Sequence, residues 1–316
     1  MENKKINCII DTDPGVDDLV AIALSLYDET IDIKLITTVA GNLDLERVTR
    51  NALYLLQKFK RTDIPVAKGA KKAMMRVSPD ATFIHQKEGM GGFVPPAVVE
   101  GFEPVKKDAV EMMYKTICEH KGDISIIELG PHTNLANLII KHPDIVGMVN
   151  HIYTEGCAPY GWHGQGKWKN YISFNASSDP EALSIVLGCG IPVTYVTSRM
   201  GRDLANFNEQ EIYQIKEINH VGEFLFEMYK EYWEHGYEDR RIATNDTCAV
   251  LNLRYPELFK TIGVDVDVNT TDMPGKTTMK KNRKSHIRLV VKVNKKKMHK
   301  KFFEAIEKLG DLRFGN

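Results

Sequence analysis

The chain has no excess charge of either sign, because 42 basic side chains cancel 42 acidic ones across 316 residues. No global field therefore draws it to nucleic acid or to an anionic membrane. Cysteine is sparse: Cys8, Cys118, Cys157, Cys189 and Cys248 are odd in number and widely scattered. That argues against a disulfide framework and fits reduced thiols in a cytosol. No Cys or His pair stands at zinc spacing, no apolar segment is long enough to span a bilayer, and Met1-Glu2-Asn3-Lys4-Lys5 leads into no signal-peptide stretch. These absences predict a cytoplasmic protein without nucleic-acid or membrane partners.

Present instead are alternating strand and helix signals. Ile6 to Ile10, Ile31 to Val39, Ile64 to Ala67, Ile124 to Leu129, Met148 to Thr154 and Pro192 to Thr197 read as strands. Between them Leu19 to Leu26, Leu45 to Phe59, Asp108 to Glu119, Asn134 to Lys141 and Pro180 to Leu187 read as helices. That order predicts an α/β fold with a mainly parallel central sheet and helices on both faces. With no repeat or linker, residues 1–316 read as a single domain. Lys276 to Lys301 holds twelve Lys or Arg and no acid. His286 to Val293 has strand character there and Met298 to Leu309 helix character, and no aromatics are interleaved as stacking platforms, so a solvated basic face is expected.

The most informative segment is Asp11-Thr12-Asp13-Pro14-Gly15-Val16-Asp17-Asp18, four carboxylates in eight residues directly after an apolar run. Asp11 and Asp13 leave the carboxyl end of a strand on the same side, Pro14-Gly15 turns the chain, and Asp17 and Asp18 fall in the first turn of a helix. Helix capping explains Asp17 or Asp18 but not all four. So much charge at a strand end, where α/β folds bind ligands, calls for a cation. An oxygen-only donor set selects calcium or magnesium over zinc.

The octet resembles that of the nucleoside hydrolase family, and further matches follow in the family's order. Thr38-Val39-Ala40-Gly41-Asn42 is similar to its Val-x-Gly-Asn. Ile84-His85-Gln86-Lys87-Glu88-Gly89-Met90-Gly91-Gly92 is similar to its His-Gly-x-x-Gly-x-Gly loop. Leu129-Gly130-Pro131-His132-Thr133-Asn134-Leu135-Ala136 and Phe174-Asn175 through Asp179-Pro180-Glu181-Ala182 match two more segments. The resemblance implies hydrolysis of the N-glycosidic bond of a ribonucleoside or related N-ribosyl compound by an activated water, one calcium ion per chain, and a homodimer or homotetramer. It implies Asp13, Asp18, Asp246 and the Thr133 carbonyl as metal ligands, with Asp13 and Asn42 catalytic. It places Asp17, Asn42, His85, Asn170, Asn175 and Asn245 around the substrate and Asp11 behind the site. Bland readings stand beside these: a turn residue for Asn42, helix caps for Thr133 and Asp246, a surface histidine on a mobile loop for His85.

The chain also departs from the family pattern. Ser173 replaces the acid expected before Phe174, which would grip the 5' side of the ribose. Asn245 replaces a histidine that often precedes the last aspartate and cannot titrate near neutral pH. Glu155-Gly156-Cys157 replaces Met-Gly-Gly, bringing a carboxylate near the pocket that is expected to restore, from another direction, the one lost at Ser173. Altered substrate preference is the expectation, for a nucleoside modified at the 5' position or for another ribosyl compound. Trp162, His163, Trp168 and Tyr171, and a second cluster of Tyr229, Tyr232, Trp233, His235 and Tyr237, offer surfaces to stack on a base or to supply the missing proton. Two other classes share this acidic cluster: a metal- and ribosyl-binding protein without turnover, and a phosphatase using Asp11 as nucleophile.

Overall fold

The computed structural model describes residues 5–77, 81–157, 171–235 and 241–311. Nine strands form one sheet: β1 (Ile6–Thr12), β2 (Ile31–Thr38), β3 (Val66–Lys68), β4 (Ser125–Glu128), β5 (His151–Cys157), β6 (Val193–Thr197), β7 (Phe259–Val268), β8 (Thr277–Lys281) and β9 (Ile287–Val293). Their order is β3-β2-β1-β4-β5-β6-β9-β7-β8. The first seven in that order pair in parallel, while β7 runs antiparallel to both β9 and β8.

Side chains alternate across each strand, and two cores result. Cys8 and Ile10 of β1 pack with α1 (Val16–Tyr27), α2 (Leu45–Lys58), α9 (His220–His235), α10 (Asn245–Arg254) and α11 (Lys295–Leu309). Ile9 packs on the other face with α4 (Ala109–Glu119), α5 (Thr133–Lys141) and α7 (Pro180–Gly188). The expected doubly covered parallel sheet is what forms. Short helices α3 (Thr82–His85) and α6 (Phe174–Ser178), with α8 (Glu209–Ile218), complete the set used below.

The β7–β8 hairpin was not foreseen. Its Val264, Val266 and Val268 alternate with Asp265 and Asp267, a period-2 signal set in a long polar stretch. The basic segment supplies β8, β9 and the start of α11. Exposed Lys280 and Lys281 lie on the terminal strand β8, where lysines discourage pairing with another chain's edge. Among the described residues no helix is long and apolar enough to cross a membrane.

Candidate active site

The strand order reverses at β1: the chain winds outward through β2 and β3, then returns to place β4 on β1's other side. At such a switch point the loops leaving the carboxyl ends of adjacent strands part and open a crevice. β1 ends at Thr12, the turn takes Asp13 to Gly15, and α1 starts at Val16. Asp18 folds back so that its Oδ2 accepts from the Gly15 N–H at 3.1 Å and its Oδ1 from the Thr12 hydroxyl at 2.6 Å. This tight turn needs glycine, because a Cβ on Gly15 would stand 2.7 Å from His85 Nδ1 and 2.9 Å from Asn42 Nδ2.

Asp17 and Asp18 meet Asp246, in the first turn of α10, with one carboxylate oxygen from each within 4.8 Å of the others. They line a cavity of about 70 Å³ together with Asn42, His85, Glu155 and Asn175. Asp17 Oδ1 has no hydrogen-bond partner, and neither has Asp13 Oδ1 beside the group. Buried carboxylate oxygens without donors, among carboxylates that converge from two chain segments, fit a divalent cation with oxygen preference.

The electrostatics agree. Burial pushes Asp17 and Asp18 up to about 6, and in Asp18 the Asp17 charge adds to it. Asp13, Glu155 and Asp246 are held well above the usual carboxylate range, first by burial and then by neighbouring carboxylates. A cation would relieve this strain. His85 does not supply the charge: burial lowers it to about 4, and its Nδ1 accepts from the Val16 N–H at 3.2 Å. Its 3.9 Å approach to Asp17 is therefore no ion pair at neutral pH.

Asn42 braces the turn. Its N–H donates to Asp13 Oδ2 at 2.6 Å, and its Nδ2 donates to the Asp13 carbonyl and to Asp18 Oδ2, both at 3.1 Å. Gly41 must be glycine, since a Cβ there would stand 2.1 Å from Asp13 Oδ2. Asn175, in α6, spends both amide hydrogens, on the Leu129 carbonyl at 2.5 Å and on Glu155 Oε1 at 2.8 Å.

A family model described as inosine-uridine preferring nucleoside hydrolase matches residues 8–300. The chain belongs to this family. A pyrimidine-specific ribonucleoside hydrolase, RihA, of Escherichia coli is 36% identical over 271 residues, which are 83% of this chain and 84% of that protein. RihA of Salmonella paratyphi C is 35% identical over the same shares. Two solved structures share the fold. A purine-preferring ribonucleoside hydrolase from Gardnerella vaginalis has a TM-score of 0.87 at 24% identity, covering 96% of this chain and 99% of its own. The plant nucleoside hydrolase PpNRh1 has a TM-score of 0.86 at 24% identity, covering 95% and 98%. This protein is thus a ribonucleoside hydrolase that cleaves an N-glycosidic bond.

In this nucleoside hydrolase the expected site residues separate into layers. Asp17, Asp18, Asn42, His85, Glu155, Ser173, Asn175, Asn245 and Asp246 all border the cavity. Asp13 adjoins the three-carboxylate group without being one of its members, a place that Asp17, expected at the substrate, takes instead. Thr133 opens α5 and donates its hydroxyl to Asp179 Oδ2 at 2.7 Å, so only its backbone is left for the acidic site. His85 is buried in α3, neither at the surface nor in a loop. Asn245 Oδ1 is buried without a partner, pressed on Gly201. Tyr229 and Trp233 of α9 are buried in the core and offer no surface to a substrate. Asn170, Trp162, His163, Trp168, Tyr237 and the side chains of Tyr232 and His235 lie outside the described residues.

Sequence reasoning missed a layer beneath the site. Glu128 and His132 are fully buried at the carboxyl end of β4 and the start of α5. The available signal was an acid inside the apolar run Ile126-Ile127-Glu128-Leu129.

Proposed function

We propose that this enzyme holds one calcium ion at Asp17, Asp18 and Asp246, with Asp13 and the Thr133 carbonyl completing the site, and hydrolyses pyrimidine ribonucleosides to free base and ribose. The three converging carboxylates carry the reading, and the likeness to RihA supports the pyrimidine preference. When bound, calcium supplies positive charge that offsets these acids and makes water easier to deprotonate.

The protein's own groups do the rest. Asp13 is the base: Asn42 fixes one of its oxygens, and the other is buried with no donor, ready to take a proton from the attacking water. As the C1'–N bond breaks, its electron pair leaves with the base, which takes up a proton from solvent to give the free base, and positive charge develops on the ribose. The surrounding carboxylates and amide oxygens stabilise that charge. Burial keeps His85 neutral, so it does not oppose the charge.

The test is base release from uridine, cytidine and inosine, in calcium and in chelator, with Asp13→Ala as control. Calcium-dependent release, fastest from the pyrimidines and lost in the control, is expected. Absence of release from all three, or release indifferent to chelator, overturns the reading.

A further inference from the structure

Glu155 is the carboxylate at the cavity that the acidic group does not use. It stands near the carboxyl end of β5, and the register against β6 slips between Glu155 and Cys157. A bulge of this kind re-aims a side chain. Gly156 makes it possible with φ +106, and a Cβ there would also stand 2.9 Å from Ser173 Oγ. Glu155 is 7% exposed, borders the cavity, and is not one of the three carboxylates that converge. Asn175 Nδ2 holds its Oε1 at 2.8 Å.

The neighbouring groups limit what this wall can bind. Both hydrogens of the Asn175 amide are taken, leaving its Oδ1 as an acceptor. Ser173 Oγ caps α6 by accepting from the Ala176 N–H at 3.2 Å. Among the described residues no Lys or Arg lines the cavity. The described wall is therefore rich in acceptors, and the Glu155 carboxyl faces whatever group is placed there.

A ribose has one vicinal pair of hydroxyls, 2' and 3', suited to the acidic end, and one hydroxyl remote from them, at 5'. We propose that Glu155 is the specificity-determining residue that accepts a hydrogen bond from the 5' hydroxyl. The enzyme then selects nucleosides carrying a neutral or cationic donor at the 5' position and rejects 5'-nucleotides. This rests on the hydrolase reading above and adds the substrate class.

The test compares wild type with Glu155→Met and the isosteric Glu155→Gln on uridine, 5'-deoxyuridine, 5'-amino-5'-deoxyuridine and uridine 5'-monophosphate. Calorimetry with D-ribose and 5-deoxy-D-ribose in calcium gives a readout independent of turnover. Leaving the buried Glu155 oxygen without its donor predicts that wild type prefers uridine over 5'-deoxyuridine by about 10- to 100-fold in kcat/KM, and D-ribose over 5-deoxy-D-ribose by a similar factor in affinity. The amine is cleaved and the monophosphate is not. Both preferences collapse toward one in Glu155→Met and fall partway in Glu155→Gln, which keeps the volume should the methionine variant fail to fold. Unchanged preferences in the variants, a wild type indifferent to the 5' hydroxyl, or ready cleavage of the monophosphate overturns the proposal. Absence of base release while wild type still prefers D-ribose would sink the hydrolysis reading and leave the recognition role standing.

Discussion

Replacing Asp18 by Asn separates its charge from its hydrogen bonds. The amide oxygen can accept from the Gly15 N–H and Asn42 Nδ2, and the amide nitrogen can donate to Thr12 Oγ, whose hydroxyl turns away. The turn is kept and one charge is lost. At the 4.8 Å limit of the acidic group, two ionised carboxylates repel by about 3.5 kcal/mol at an effective dielectric of 20. Asp18 faces two partners, and partial protonation relaxes much of this, because Asp17 and Asp18 titrate at about 6. A net gain of about 1–3 kcal/mol is expected for the metal-free variant at pH 7.5. The sign in pH follows. A carboxyl raised from 3.8 to about 6 contributes stability that is full below 3.8 and lost as pH rises through 6. The metal-free wild type should therefore fall further than the variant between pH 5 and 7.5.

Calcium acts in the opposite direction. At one hundred times its Kd an ion stabilises the wild type by about 2.7 kcal/mol, or about 5 °C in Tm, and a site short of one carboxylate loses most of that. Thermal unfolding of both proteins, in chelator and in calcium, measures all four values. A metal-free variant less stable than wild type, or one with an equal calcium response, refutes the assignment of Asp18 to an electrostatically strained cation site.

Asn134→Leu removes an amide that donates to Asp11 Oδ1 at 2.7 Å and accepts from the Ala70 N–H at 2.8 Å. The Thr38 carbonyl it also touches keeps the Gly69 N–H. Urea unfolding should show a loss of about 3 kcal/mol; a loss below about 1 kcal/mol would contradict the brace. His132 is pushed down to about 4 by burial, so its contribution to stability is full above 6.5 and lost as pH falls through 4. The stability difference between wild type and His132→Leu should shift by about 2 kcal/mol in the variant's favour from pH 7 to pH 5, seen in paired urea titrations. Gly41→Ala drives a methyl into Asp13 Oδ2, and kcat should fall at least about 100-fold with the far-ultraviolet dichroism unchanged.

The parallel half of the fold was legible because its strands are buried on both faces and read as apolar runs. The β7–β8 hairpin was not, since β8 (Thr277–Lys281) is mostly solvated and carries little apolar signal. Strand β5 begins at His151, later than Met148, because a 3-10 turn over Pro143–Gly147 delays it. The octet announced the site, yet the sequence could not show which carboxylate faces which way. Asp17 stands beside Asp18 in α1, and only the fold of α10 brings Asp246 to them. Glu155 was noticed as a departure, but its bulge and its Asn175 partner depend on pairing across strands.

The four aspartates of the octet occupy different depths, and this decides between chemistries. Asp11 is fully buried and points back into the sheet, where Thr37 and Asn134 donate to its Oδ1. Glu128, its register partner on β4, lies against it. A carboxylate nucleophile for phosphoryl transfer must reach a substrate atom in line, which Asp11 does not do from this position. Asp13 sits one layer out, fixed by Asn42, while Asp17 and Asp18 reach the cavity. The inner acid positions the strand end and the outer acids gather at the cavity. That division serves attack by water on a ribosyl carbon and leaves the first aspartate of the series with no substrate to attack.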